Sequence, residues 1–331
     1  MDGPNKKVVV IGGGTGTYTV LRGLKKYPEL DLAAVVTMAD DGGSNKILRD
    51  EFGMLPTSGL RQCMVALSEN EGLLRELFAY RYYHGVGISG MTFGNLFMAA
   101  ATDILGGERL AIAETAKLLG VKGQILPVSY ETVSLLATYE DGREVLGEHL
   151  IDEAGKVTGE KRIVNLRTIP KTSIDKAAKE AINQADMIVL GPGDLYTNTV
   201  ANLVVRGVSE AIVKSRAKLV FVMNLMTKRG ESAGYAASDY IADLAKYLPI
   251  SRLDCVVVNI DREVDPEILR KYSKEVAGLV VDDLGGAAKF MVIRKKLLAR
   301  GKVEKQKGDK TERSMVRHDS EKLAKVLASL V

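Results

Sequence analysis

The chain has 331 residues, of which 46% are hydrophobic and 27% charged, and carries a formal net charge of +4. Those proportions exclude a disordered tail and a disulfide scaffold, and no apolar run reaches the 18 or more residues of a membrane span. The positive charge is local: nine basic residues against Glu304, Asp309 and Glu312 fall between Arg294 and Arg313, and the rest of the chain sums to −2.

In chain order, Val8 to Ile11 reads as a first strand, about Thr17 to Tyr27 as a helix and Leu32 to Thr37 as a second strand, which is a βαβ unit. Residues 60–120 break that rhythm and read as helices around Arg61 to Ser68, Leu73 to Tyr83, Asn95 to Leu105 and Glu108 to Leu119. Val133 to Tyr139 and Glu144 to Ile151 then flank Asp141-Gly142, a pair that tolerates positive φ and predicts a hairpin. Further strands follow at Met187 to Leu190, Lys218 to Asn224, Cys255 to Asn259 and Leu279 to Val281. Helices are expected at Asp175 to Gln184, Val200 to Lys214, Ala237 to Tyr247 and Pro266 to Glu275. Runs such as CVVVN are apolar throughout, as strands covered on both faces are. The pattern predicts an α/β protein: a Rossmann-like, mostly parallel sheet with a helical insertion and a small antiparallel hairpin. The segments are 1–58, 59–125 (the insertion), 126–170 (the hairpin) and 171–331 (the second part of the Rossmann-like domain).

Cys63 and Cys255 match neither a disulfide framework nor a zinc spacing, and three histidines are too few for a metal cage. The N-terminus leads into a strand without a signal-peptide core, so the expected setting is the cytoplasm. The basic segment reads as a solvated run or, more sharply, as a phosphate-attracting flap; without interleaved aromatics it argues against nucleic acid.

Four loops carry the candidate chemistry. Gly12-Gly13-Gly14-Thr15-Gly16-Thr17 follows the first strand and opens a helix, bringing bare amides and the positive end of a helix dipole to one point. The spacing departs from GxGxxG at Thr17, so a dinucleotide site does not follow. A tubulin-like string is similar but lies deeper in its chain. Asp40-Asp41-Gly42-Gly43-Ser44 ends the second strand, where an acid could meet ribose hydroxyls, two carboxylates could hold Mg²⁺, or the same residues could simply cap a helix. Gly191-Pro192-Gly193-Asp194-Leu195-Tyr196-Thr197-Asn198 repeats the strand, glycine turn and helix order. Asn224-Leu225-Met226-Thr227-Lys228-Arg229-Gly230-Glu231-Ser232 offers an amide side chain, a hydroxyl and two cations. All should converge on one crevice at the carboxyl edge of the sheet.

Covalent catalysis finds little support. Ser89, in Gly87-Ile88-Ser89-Gly90-Met91, fails the last position of a GxSxG elbow, Cys63 sits on an apolar helix, and His84 and His149 have no partner in sequence. Asn95, in Phe93-Gly94-Asn95-Leu96, suits helix capping and ligand binding equally.

GGGTGT, ADDGGS, GMLP, FGNLF, GPGDLYTN, NLMTKRGES, Asp239-Tyr240 and Arg317-His318-Asp319 stand in the order of one family. The chain resembles the YvcK-type proteins, the gluconeogenesis factors, relatives of the CofD 2-phospho-L-lactate transferases. The resemblance implies a Rossmann-like fold and a UDP-N-acetylglucosamine ligand bound by a cytoplasmic protein of carbon metabolism and cell shape. Under it, Gly13, Gly14, Thr15 and Gly16 meet phosphate or nucleoside, Asp40 and Asp41 adjoining polar groups, and Asn224 and Thr227 the far wall. Tyr272 and Arg317 grip the nucleotide sugar, Arg317 as a planar guanidinium suited to pyrophosphate. Two departures weaken catalysis more than binding: Pro56-Thr57-Ser58-Gly59-Leu60-Arg61 lacks the family's carboxylate, and Met91 stands where the family often has histidine.

The sequence thus supports a regulatory protein binding a nucleotide or nucleotide sugar, with no cofactor required. The competing reading is a CofD-like transferase moving a phospholactyl group from a guanosine diphosphate donor to a deazaflavin with Mg²⁺ at Asp40 and Asp41. An NAD-linked oxidoreductase rests on fold analogy alone. Catalysis and oligomeric state, a homo-oligomer included, stay open at this level.

Overall fold

The structure is a computed structural model and describes residues 4–70, 72–153, 161–286, 288–301 and 315–331. Seven strands form one sheet: β1 (Lys6–Gly12), β2 (Leu30–Val36), β3 (Gln124–Pro127), β7 (Met187–Leu190), β8 (Lys218–Val222), β9 (Cys255–Asn259) and β10 (Met291–Lys295). Their order is β10-β9-β8-β7-β1-β2-β3 and each neighbouring pair is parallel. Three strands, β4 (Ser134–Tyr139), β5 (Glu144–Leu146) and β6 (Ile163–Ile169), form a separate antiparallel sheet in the order β5-β4-β6.

β1 is central because its residues are apolar on both faces. Val8 and Val10 enter one core with Val20, Leu21 and Leu24 of α1 (Gly14–Leu24), while Val9 and Ile11 enter another with Ile188, Leu190 and Phe221. α2 (Gly43–Phe52) buries Leu48, and the first core also takes α3 (Ser58–Leu67), α4 (Leu73–Ala79), α5 (Phe93–Leu105) and α6 (Glu108–Leu118) through Leu60, Met64, Phe78, Met98 and Ile112. The second takes the antiparallel sheet, α7 (Glu148–Glu153), α8 (Lys176–Gln184), α9 (Ala201–Leu203), α10 (Val208–Lys214) and α11 (Ala237–Leu244). α12 (Pro266–Lys274) starts a third, small cluster, and α13 (Ser320–Ala328) packs on α1. No helix among the described residues is long and apolar enough to cross a membrane.

The expected mixed architecture is present, with four corrections. Leu279 to Val281 is not a sheet strand: Val280 is buried but Val281 is 54% exposed, and the run makes only single bridges, Leu279 to Met226 and Val281 to Ala236. β10 takes the edge position instead. The second hairpin strand stops at Leu146, because Gly147 has φ +107 and α7 begins at once. The helix expected over Val200 to Lys214 is interrupted: a π turn (Leu195–Val200) runs into α9, and Gly207 with φ +97 precedes α10. The helix from Leu73 ends at Ala79, after which Arg81 bridges to Thr92. In the basic segment, Arg294 pairs with Asp282 and Arg300 with Asp261 and Glu263; residues 302–313 of it lie outside the described residues.

Candidate functional site

The chain leaves β1 toward β2 on one side and later returns as β7 on the other, so the topological switch point lies between β1 and β7. Open α/β sheets hold ligands outside the carboxyl ends of their strands at this point. Gly12, Val36, Leu190 and Val222 end the four strands here, and the predicted loops leave from them.

The first turn is built by close approach. Gly14 has φ +63, a left-handed conformation that disfavours side chains, while Gly13 is extended but faces the amide oxygen of Asn198, which a Cβ would overlap. Asn202 supports the turn from below, donating from Nδ2 to the Gly12 carbonyl at 3.2 Å. Gly193 lies against the same turn, an ideal Cβ on it standing 3.5 Å from the Gly13 carbonyl. No side chain caps α1 and no acid stands in its first turn, so no side chain takes the amides of Gly14, Thr15 and Gly16 as a cap; Thr17 is buried. α2 begins in the same way, with Gly42 at its N-cap, no side-chain cap and no acid among Gly43, Ser44 and Asn45.

Asp40 and Asp41 are held by the protein itself. Asp40 accepts the Gly42 N–H at 3.0 Å and a side-chain bond from Asn45, and burial raises its pKa above the usual carboxylate range. Asp41 accepts the His149 N–H at 2.8 Å in the first turn of α7 and lies 3.7 Å from Arg49. Sequence left capping open for these acids, and Asp41 does anchor a helix, one that begins over a hundred residues later.

The third turn differs from the first two. Glu231 reaches over from the loop after β8 and accepts the N–H groups of Tyr196 (2.9 Å) and Thr197 (3.3 Å) and the Thr197 hydroxyl (2.9 Å). Leu195 and Tyr196 are core residues, the Tyr196 hydroxyl donating to Asp243 at 2.5 Å. Pro192 contributes its carbonyl against Gly16. Asn224 ties the two loops by donating to the Gly193 carbonyl at 2.7 Å, which leaves its Oδ1 without a partner in the structure. Lys228 pairs with Asp152, with Asp194 at 2.6 Å and with Glu231 at 3.5 Å. Burial and the Glu231 charge push Asp194 up to about 8, and burial together with Asp40 raises Glu148 well above its ordinary value. Among the described residues the carboxylates close enough to share one cation are Asp152, Asp194 and Glu231, around the Lys228 ammonium.

Met226 and Tyr272 pack together, and Thr227 follows Met226 in the loop after β8. Thr227 accepts the Gly278 N–H on its hydroxyl at 2.9 Å, and Met226 and Tyr272 share a small apolar cluster with Leu225, Leu298 and Val316. The Tyr272 hydroxyl accepts the Met315 N–H at 2.9 Å, two residues before Arg317, whose carbonyl accepts from Ala299 at 2.9 Å. Asn95 lies elsewhere: it is fully buried, receives Arg61 Nε at 3.0 Å and donates to Ser58 at 3.1 Å, while Thr92 caps α5.

Sequence reasoning missed Asn202, Glu148, Asp152 and the parts played by Asn198 and Glu231. Glu231 was visible as the one acid in a loop read for its cations, but nothing local marked its partners.

A doubly wound parallel sheet with two uncapped glycine turns at its switch point defines a Rossmann-like α/β protein with an anion-suited crevice. The family model described as 2-phospho-L-lactate transferase CofD matches residues 8–300. The chain belongs to this CofD family and, within it, to the YvcK-type proteins named gluconeogenesis factors. It is 37% identical over 333 residues to the gluconeogenesis factor of Bacillus subtilis, covering 99% of each chain. It is 42% identical over 279 residues to that of Halalkalibacterium halodurans, covering 84% of each. A crystal structure of a Bacillus halodurans protein superposes with a TM-score of 0.88 at 38% identity, over 98% of this chain and 99% of that one.

Proposed function

We propose that the crevice binds a nucleotide sugar of the UDP-N-acetylglucosamine kind and that the protein acts through that binding as a cytoplasmic regulator of carbon metabolism and cell shape. The carrying observation is the pair of helix N-termini, α1 and α2, that no side chain caps at the carboxyl edge of one sheet, the α1 end free of acids and the α2 end preceded by Asp40 and Asp41. Their free amides and dipoles suit a diphosphate. Asn224 Oδ1 supplies an unused acceptor for a donor on the base or sugar. The Cys63 thiol is buried and pushed up to about 12, so it is not an activated nucleophile.

Isothermal titration with UDP-N-acetylglucosamine tests the reading, with weaker binding expected for Arg317→Ala. No heat with any UDP-sugar rejects it.

The CofD match supports a second reading, phospholactyl transfer from a guanosine diphosphate donor to a deazaflavin. It calls for Mg²⁺ at Asp40 and Asp41. One oxygen of each already accepts a backbone N–H. Product formed from donor and deazaflavin would favour this reading over the first.

A further inference from the structure

The Lys228 ammonium stands in a setting that elsewhere holds a metal ion. Among the described residues, Asp152, Asp194 and Glu231 bring carboxylate oxygens within 4.8 Å of one another, the spacing of ligands around one cation. The three acids come from separate segments: α7, the turn after β7 and the loop after β8. Lys228, one helical turn before Glu231 in that last loop, pairs with Asp152, with Asp194 at 2.6 Å and with Glu231 at 3.5 Å. An ammonium has three protons to donate and accepts nothing, so one lysine can face all three acids. The cluster needs a positive charge at its centre. The Glu231 side chain has no exposed surface, and burial with the Glu231 charge already pushes Asp194 up to about 8. Carboxylates this close do not all ionise without a cation among them. Oxygen ligands of this kind suit Mg²⁺ and Mn²⁺. A divalent ion on the same oxygens would meet the ammonium at close range, so one cation excludes the other.

We propose that Lys228 is the resident cation of the Asp152, Asp194 and Glu231 cluster and closes it to divalent metal. The charge that joins α7 to the loops after β7 and β8 is then part of the chain itself, and the arrangement of this wall does not depend on metal supply. Asp194 also accepts from Asn198, whose amide oxygen faces Gly13, so the cluster adjoins the first glycine turn. The proposal concerns these three acids, not Asp40 and Asp41, and holds whether or not the crevice takes a nucleotide sugar.

The test uses the full-length protein and Mn²⁺ alone, buffered near the value of about 8 to which Asp194 is raised. Uptake is read from the loss of the free-ion electron paramagnetic resonance signal. Lys228→Met keeps the bulk of the side chain without its charge and should bind one equivalent more than the native protein. Adding Asp152→Asn should remove that equivalent. Lys228→Arg keeps a cation in place and should gain none. The unfolding temperature of Lys228→Met should rise with Mn²⁺ and fall back with a chelator, a response that loosened packing alone does not produce. Two results overturn the proposal: native uptake that Asp152→Asn abolishes, which would show a metal displacing the ammonium, or a folded Lys228→Met variant with no gain over the native protein. If Lys228→Met does not fold, native protein against Asp152→Asn decides: equal uptake upholds the proposal and a lost equivalent overturns it. The nucleotide-sugar reading stands or falls separately, on its own titration.

Discussion

A Cβ placed on Gly16 would overlap the carbonyl oxygen of Pro192, so the first turn of α1 touches the backbone of the loop after β7 with no room for a side chain. The two residues come from opposite sides of the switch point. Their contact is what turns two separate glycine loops into one crevice. Helix propensity alone predicts that alanine at a helical glycine helps, by up to about 1 kcal/mol. Here the obstacle is backbone and cannot rotate away. Gly16→Ala should destabilise by roughly 1–3 kcal/mol and abolish nucleotide-sugar binding, read by thermal unfolding and titration. A variant as stable as the native protein would show that the turns can part without loss.

His318 makes a pH prediction with a definite sign. It is 8% exposed, its Nε2 has no partner, and burial pushes its pKa down from 6.5 to about 4. The folded protein therefore binds fewer protons than the unfolded chain between those values. Stability is unaffected by this group above about pH 6.5, falls as pH drops toward 4, and levels off below, for a total on the order of 3 kcal/mol. His318→Gln should flatten that part of the curve. The check is the difference between native and variant unfolding free energies measured by urea at pH 7 and pH 4.5. Equal slopes would mean that the imidazole reaches water.

Elements buried on both faces were legible because burial writes itself into a continuous apolar run: Met187–Leu190 and Cys255–Asn259 have the bounds read from sequence. Edge strands were not. β10 reads MVIRK, with both terminal residues exposed, and β3 is four residues ending in proline. α7 was taken for strand because its start depends on Asp41, a residue remote in sequence. The candidate site divides in the same way. Glycine turns at strand ends are local signals, so the crevice was legible. Whether their amides are free depends on groups elsewhere in the chain, such as Glu231, which no local pattern reveals.

Asn95 tests a buried polar chain rather than the crevice. Its amide oxygen takes Arg61 Nε, its nitrogen donates to Ser58, and the Ser58 hydroxyl donates to Asn45, which in turn bonds Asp40. Arg61 is 6% exposed, so a lost acceptor is not replaced by bulk water. Asn95→Ala should cost about 1.5–3 kcal/mol in urea unfolding, the range for hydrogen bonds to charged groups. Because the chain ends at Asp40, ligand affinity should also fall. Lost stability with full affinity would confine Asn95 to the helical insertion.

Tyr272 and Arg317 were expected to act side by side on the ligand, but the geometry gives the tyrosine hydroxyl a second task. It accepts the amides of Met315 at 2.9 Å and Val316 at 3.4 Å, immediately ahead of Arg317, while its ring packs among Leu225, Met226 and Val316. Tyr272→Phe keeps the packing and removes the acceptor, at about 0.5–1.5 kcal/mol of stability. If the hydroxyl serves by holding the segment that carries Arg317, its loss lowers nucleotide-sugar affinity in the native background and changes nothing further once Arg317 is alanine. If it touches the ligand directly, the two effects add. A double-mutant cycle of dissociation constants separates the cases, since independent contacts sum and a residue acting through another does not. The hydrogen bonds to Met315 and Val316 predict the non-additive result, and an additive cycle would return Tyr272 to the ligand.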